Sequence, residues 1–311
     1  MKEASSLAVV YIDGVFYDKK EDAKISVWDH GLLYGDGLFE GIRVYDGKIF
    51  RFDEHMKRLY DSAKTLAIDI PHSYDELKQL TIETVKRNGK PDTYIRLVVT
   101  RGSGDLGLDP RKCKKSTVII IVDDIALFPP EQYEVGMKVI IASTRKNHMA
   151  ALNSNVKSLN YLNNILAKIE AVHAGVPEAI MINIHGYITE GTADNIFVVK
   201  DGVIKTPPPH VGILVGITRN AVMDVAKEMG NPVTEALMTS HDLYVADEVF
   251  LTGTGAELIP VVNVDGRIIA DGKPGPMYRT LLENFRKRTK VEGTPVFSKE
   301  ELKNIKGLLT V

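Results

Sequence analysis

The chain has 311 residues, 44% hydrophobic and 26% charged, enough apolar material for one large or two moderate cores. A formal charge of -2 leaves no electrostatic footprint for nucleic acid or an anionic membrane surface. The single cysteine, Cys113, excludes an internal disulfide, and no apolar run reaches eighteen residues; a cytoplasmic protein with no signal peptide or membrane span is expected.

Residues 8–18 read as a hairpin closed by Asp13-Gly14, and residues 44–52 repeat the pattern around Asp46-Gly47. Between them, Gly31, Gly35, Gly37 and Gly41 punctuate a stretch that also carries Tyr34 and Phe39. It reads either as a turn or as a wall where backbone approaches a ligand closely. A helix over 54–67 follows, with Met56, Leu59, Tyr60, Ala63 and Leu66 on one face. Arg58 lies between the buried positions and, taken alone, is a helix-surface charge. Ser73 and Glu76 form a capping box that opens a helix to about Asn88.

Residues 92–101 alternate as a strand, with Tyr94, Arg96 and Val98 on one side. Arg96 and Arg101 fall on opposite faces, and each could simply pair with a carboxylate. The run from Gly102 to Gly107 has the letters of a dinucleotide fingerprint, but Pro110 follows where a helix must open, which excludes that use. The composition of Thr117–Val122 predicts a strand buried on both faces. Phe128-Pro129-Pro130 breaks the pattern, so the expected division is a small domain over 1–124, a linker over 125–136 and a larger domain over 137–311.

The second half opens with a strand over 137–142. Lys157 stands just before a helix whose apolar residues, from about Leu159, fall at 159, 162, 165, 166 and 169, the spacing of one buried stripe. An amine at the edge of an apolar region is desolvated, which suits a nucleophilic lysine, although most lysines are simply solvated. A strand over 178–183 leads to Glu190, which in isolation is a turn carboxylate. Gly216, Ile217 and Thr218 open a helix to about Met229, either a plain helix start or a phosphate site built from free N–H groups. Ser240 is expected to cap a short helix, and a strand over 248–252 runs into Gly253-Thr254-Gly255-Ala256. No His, Cys and carboxylate cluster has metal-ligand spacing, so no metal is expected.

The segment Lys157-Ser158-Leu159-Asn160-Tyr161-Leu162-Asn163-Asn164 resembles the cofactor-lysine segment of the branched-chain amino-acid aminotransferases, pyridoxal-phosphate enzymes of fold type IV (D-amino-acid aminotransferase-like). The likeness extends from about Ile12 to about Phe285, with the motifs in family order. It implies an α+β or α/β protein of two domains with pyridoxal 5'-phosphate between them. Lys157 is then the catalytic lysine joined to the cofactor. Arg58, within His55-Met56-Lys57-Arg58-Leu59, and Thr254 would hold the phosphate with Gly216, Ile217 and Thr218. Tyr161 would meet the ring hydroxyl, Leu214 the ring face and Glu190 the pyridine nitrogen.

For the substrate, the resemblance implies an apolar pocket of Phe39 with Tyr34, Leu106 and Leu108, the last three lent by a neighbouring subunit. Tyr94 would lie near the substrate carboxylate, and the backbone of Gly255 and Ala256 would hold the α-carboxylate. Arg96 would meet the second carboxylate of glutamate or 2-oxoglutarate. The implied reaction moves the amino group of L-leucine, L-isoleucine or L-valine to 2-oxoglutarate, in a homo-oligomer built from dimers with shared active sites. Arg101 aligns roughly with an arginine that D-amino-acid aminotransferases use for the α-carboxylate. That activity stays open as a rival, with an aminodeoxychorismate lyase and a non-enzymatic cofactor-binding relative.

Overall fold

The structure, a computed structural model, describes residues 8–309; the outer ends of the two expected domains, 1–7 and 310–311, lie outside the described residues. The chain divides into two compact units: Met1–Ile125 with Val156–Asn160 and Thr289–Val311, and Ala126–Asn155 with Tyr161–Arg288. This differs from the division at 124 and 137. Within the expected linker, Pro130–Val135 is a short helix of the second unit, where the Tyr133 hydroxyl donates to the Ala256 carbonyl at 2.9 Å. Val156–Asn160 joins the first unit because its backbone pairs there: Phe39 N–H donates to the Lys157 carbonyl at 3.0 Å and Leu159 N–H to the Gly37 carbonyl at 2.9 Å.

In the first unit the strands are β1 (Val9–Ile12), β2 (Val15–Tyr17), β3 (Gly37–Tyr45), β4 (Lys48–Ile49), β5 (Thr93–Thr100) and β6 (Thr117–Asp123). With Thr294–Pro295 they form, among the described residues, a seven-stranded sheet in the order Thr294–Pro295, β4, β3, β5, β6, β1, β2. Every pairing in it is antiparallel. Asp13 and Gly14 (φ 44° and 104°) and Asp46 and Gly47 (φ 50° and 73°) turn the hairpins in the left-handed region that a two-residue connection requires.

Helices Phe52–Leu66 and Tyr74–Asn88 set Met56, Leu59, Leu77 and Val85 against Ile42, Ile95, Leu97 and Ile120 of the sheet. Each such side chain taken from water contributes about 1.5–3 kcal/mol. The capping box forms: Ser73 N–H donates to Glu76 at 2.7 Å, and Glu76 N–H to Ser73 Oγ at 3.3 Å. The expectation for β6 fails on one face. Val118, Ile120 and Val122 are fully buried, while Ile119 and Ile121 are half-buried, because the helices cover only one side of this sheet.

The second unit carries β7 (Met137–Ile141), β8 (Glu178–Ile182), β9 (Ile188–Gly191), β10 (Asn195–Lys200), β11 (Val203–Thr206), β12 (Thr234–Glu235), β13 (Glu248–Gly253), β14 (Glu257–Val264) and β15 (Arg267–Ile268). Its sheet runs β12-β11-β10-β13-β14-β7-β8-β9, with β15 on β14, and mixes parallel (β7–β8, β7–β14, β11–β12) and antiparallel pairs.

The helix after Lys157 spans Leu162–His173 and buries the opposite face from the one its apolar spacing suggests. Ala167 and Ala171 pack on Ala179 and Met181, while Leu162, Ile165, Leu166 and Ile169 are 68%, 51%, 48% and 44% exposed. Two alanines four residues apart let the helix lie close to its sheet, and the bulky stripe is left outside. The helix also starts later than expected, since Ser158 is bridged to Leu38. Thr239, not Ser240, caps Ser240–Tyr244: its N–H and hydroxyl donate to Asp242 at 2.7 and 2.9 Å. No helix among the described residues is long and apolar enough to cross a membrane, and no group of three or more His, Cys, Asp or Glu among them could hold a metal.

Candidate active site

The first unit gathers Lys157, Phe39, Tyr94 and Arg96 at the middle of its sheet. The Lys157 N–H donates to Ser62 Oγ at 3.2 Å, and its amine lies 4.5 Å from the centroid of the Phe39 ring. The Arg96 guanidinium is 4.5 Å from that same ring and 5.6 Å from the Tyr94 ring. An apolar surface therefore meets one amine and one guanidinium, an arrangement favoured by the ring quadrupole. Gly41 is needed beside it, since a Cβ there would come within 2.0 Å of the Tyr94 hydroxyl.

Arg58 sits one layer away, tied to a carboxylate that the sequence did not flag. Its Nε and Nη2 donate to Glu40 Oε1 and Oε2 at 2.7 Å each, and His55 Nδ1 lies 2.7 Å from Glu40 Oε2. Burial pushes the Glu40 carboxyl up, but the Arg58 charge and the bonds from Arg58 and His55 more than offset it, holding it at about 2. Burial pushes His55 below its ordinary value; Glu40 works against this, while the charges of Arg58 and Lys157 add to it.

Tyr34 is grouped with the loop that holds Leu106 and Leu108. Its hydroxyl accepts the Gly107 N–H at 2.9 Å, its ring meets His30 edge-on at 5.0 Å, and His30 Nε2 lies 3.1 Å from the Asp105 carbonyl. Tyr34 and Leu108 help line a cavity of about 230 Å³. Leu106 and Leu108 are 57% and 81% exposed. Arg101 points elsewhere: it donates to Asp36 at 3.0 Å and to the carbonyls of Leu66 and Ala67 at 2.8 Å each.

In the second unit the centre is Glu190 at β9. Its Oε1 takes Lys146 Nζ at 2.7 Å, and its Oε2 accepts from Asn195 Nδ2 at 3.2 Å and from Leu214 N–H at 3.0 Å. Asn195 Nδ2 also donates to the Leu214 carbonyl at 2.8 Å, so Leu214 is fixed by both its backbone groups. Gly216 is the N-cap of Ile217–Glu228 and supplies no capping side chain; a Cβ there would meet Asn195 Oδ1 at 2.0 Å. Thr218 is buried in the first turn. On β13 the Thr252 hydroxyl is buried with no hydrogen-bond partner, two residues before Thr254. Thr254 and Gly255 are half-buried and Ala256 buried, and Tyr161 is half-buried at the start of its helix.

Glu40, His55, Lys146, Asn195 and Thr252 were not legible as site residues. Glu40 alone left a trace, a charge in the otherwise apolar stretch Leu38-Phe39-Glu40-Gly41-Ile42. Arg145-Lys146 reads as ordinary loop charge.

The first unit thus holds an amine and a guanidinium on an apolar wall, and the second, by itself, a carboxylate ringed by donors and a helix start without a side-chain cap. The family described as amino-transferase class IV matches residues 37–264. A relative in Methanocaldococcus jannaschii, named "Putative branched-chain-amino-acid aminotransferase", is 54% identical over 277 residues, 89% of this chain and 95% of that one. The crystal structure of the Escherichia coli branched-chain amino acid aminotransferase has a TM-score of 0.88 at 36% identity, covering 92% of this chain and 95% of that chain. The branched-chain amino acid aminotransferase from Thermobaculum terrenum, solved in its PLP form, has a TM-score of 0.83 at 28% identity, covering 93% and 98%. The chain belongs to the class IV aminotransferases and, within them, to the branched-chain amino-acid aminotransferase family of fold type IV.

The cofactor of this class is pyridoxal 5'-phosphate, and the residues present fit it. The N–H groups at the start of Ile217–Glu228 have no side-chain cap, and the Thr252 hydroxyl is orphaned: donors of this kind suit a phosphate. Glu190, accepting from three donors, suits a protonated ring nitrogen.

Proposed function

We propose that the chain moves the amino group of L-leucine, L-isoleucine or L-valine to 2-oxoglutarate with pyridoxal 5'-phosphate. The observation that carries this reading is the Phe39 ring, with the Lys157 amine and the Arg96 guanidinium each 4.5 Å from its centroid. One apolar wall with a cation at its rim accepts an aliphatic side chain and, in the other half of the cycle, a carboxylate. A wall of this kind discriminates methylenes weakly, which supports activity across all three substrates.

In this reading Lys157 would hold the cofactor through its amine, and that amine, once free, would take the proton from the substrate Cα. The cofactor supplies the electron sink. Glu190 would hold the ring nitrogen, Tyr161 would meet the ring hydroxyl and Leu214 would pack on the ring. Arg58, Thr254 and the backbone of Gly216, Ile217 and Thr218 hold the phosphate. Tyr94 and the backbone of Gly255 and Ala256 orient the α-carboxylate.

The protein works as a homo-oligomer built from dimers, with Tyr34, Leu106 and Leu108 offered to a neighbouring copy. The exposure of Leu106 and Leu108, and of the Leu162, Ile165, Leu166 and Ile169 stripe, supports assembly, since contiguous bare apolar surface marks an interface. A single cysteine, outside any disulfide, supports a cytoplasmic setting. Arg101, engaged by Asp36 and two carbonyls, gives no support to D-amino-acid turnover. Steady-state rates with L-leucine, L-valine, D-alanine and aminodeoxychorismate test the reading. A preference for L-leucine is expected, and a preference for D-alanine would overturn it.

A further inference from the structure

The pair Lys146–Glu190 does more than fill space. Both side chains are nearly closed to solvent, at 6% and 8% exposure, and lysine is almost never buried unless paired. Removing two charges from water costs several kcal/mol per ion, and apolar residues of the same volume often serve stability equally well. A buried pair is therefore weak evidence for stability, and the reason for it is sought in its chemistry. Lys146 is held at its root, its N–H donating to the Ile182 carbonyl at 2.9 Å. Its Nζ meets Glu190 Oε1, while Asn195 and Leu214 donate to Oε2.

Each of these groups is a donor. A proton placed on Glu190 would point an O–H at an ammonium or an N–H and would cost one of the three bonds. Resting on the reading in which Glu190 faces the pyridine nitrogen, we propose that Lys146 is a positioning residue that keeps the proton on that nitrogen and off Glu190. The amide of Asn195 and the Leu214 N–H fix where the carboxylate points; the ammonium of Lys146 sets a full positive charge against its other oxygen. A ring nitrogen that keeps its proton is the stronger electron sink.

The test uses holoenzyme loaded with cofactor carrying 15N at the ring nitrogen, in the wild type, K146R, K146Q and K146M. Wild type and K146R are expected to give a pyridinium resonance. K146M, and K146Q with a donor but no charge, are expected to move toward the unprotonated pyridine position. Their kcat should fall roughly tenfold, with a smaller change in the KM for L-leucine. A pyridinium resonance retained in either folded neutral variant overturns the proposal, even if its kcat falls, because loss of packing alone would not move the nitrogen signal. Borohydride trapping separates this from the functional reading: no adduct on Lys157 of the wild type removes both, whereas an intact adduct with an unmoved resonance removes only the role of Lys146.

Discussion

Glu40 grips Arg58 through two parallel bonds of 2.7 Å from a position with no solvent exposure. The guanidinium plane is therefore fixed by β3 before any anion arrives, and fork-to-fork geometry of this kind is open to arginine and not to lysine. Arg58→Lys keeps the charge and loses the second bond. A drop of about tenfold in the affinity of the apoprotein for pyridoxal 5'-phosphate is expected, read by cofactor titration; unchanged affinity would mean that the fork does not matter.

Removing the carboxylate instead takes both of the Glu40 bonds from a side chain only 14% exposed. Glu40→Ala should destabilise the protein by about 3–5 kcal/mol in urea unfolding, as breaking one side of a buried pair does. A loss below about 1 kcal/mol, the scale of an exposed pair, would show that Arg58 finds another counter-charge.

Acid stability follows from the same cluster. The folded pKa of Glu40, about 2, lies below its ordinary 4.5, so its contribution is complete above pH 4.5 and is lost as pH falls from there toward 2. The total is of the order of 3 kcal/mol. His55 is also lowered from 6.5, so its sign is the same: the unfolded chain takes up the proton first, and stability starts to fall below about pH 6.5. A plot of unfolding free energy against pH should therefore decline in two stages, and His55→Gln should remove the upper one.

Lys157→Ala should abolish turnover while leaving the thermal transition within a few degrees of wild type, because the backbone bonds of this residue to Phe39 and Ser62 survive the change. Turnover at even a hundredth of the wild-type rate would place the chemistry on another amine.

Gly216 has φ -70°, a conformation any residue can adopt, so its constraint is space. An added methyl meets Asn195 Oδ1 at 2.0 Å. Gly216→Ala should cost about 1–3 kcal/mol, the usual range for overpacking, and should weaken cofactor binding by displacing the amide that holds Glu190 and Leu214. A stable variant with full cofactor affinity would show that the start of this helix yields freely.

Much of the fold could be read from local rules. The Asp13-Gly14 and Asp46-Gly47 turns and the Ser73–Glu76 box are set by a few adjacent residues, and the structure forms all of them. The stripe on Leu162–His173 shows where such reading stops. A period of about 3.6 says that a face is apolar, but whether Ala167 and Ala171 or Leu162 and Ile165 turn inward depends on a sheet that the helix's own residues do not specify. The site divided in the same way. The neighbours of Lys157 in the sequence are what single it out as the proposed cofactor lysine, whereas Glu40 and Lys146 acquire meaning only from Arg58 and Glu190, distant partners further along the chain.

Because the Tyr34 hydroxyl is bound by the peptide of Gly107, and His30 by that of Asp105, the aromatic group and the leucine-bearing loop form one mechanical part. Grafting the 105–108 segment from a relative with different substrate preference would bring the loop without its anchor. On the proposed function, in which this loop meets the substrate side chain, engineering of side-chain size should therefore exchange His30, Tyr34 and the loop together, as a cassette.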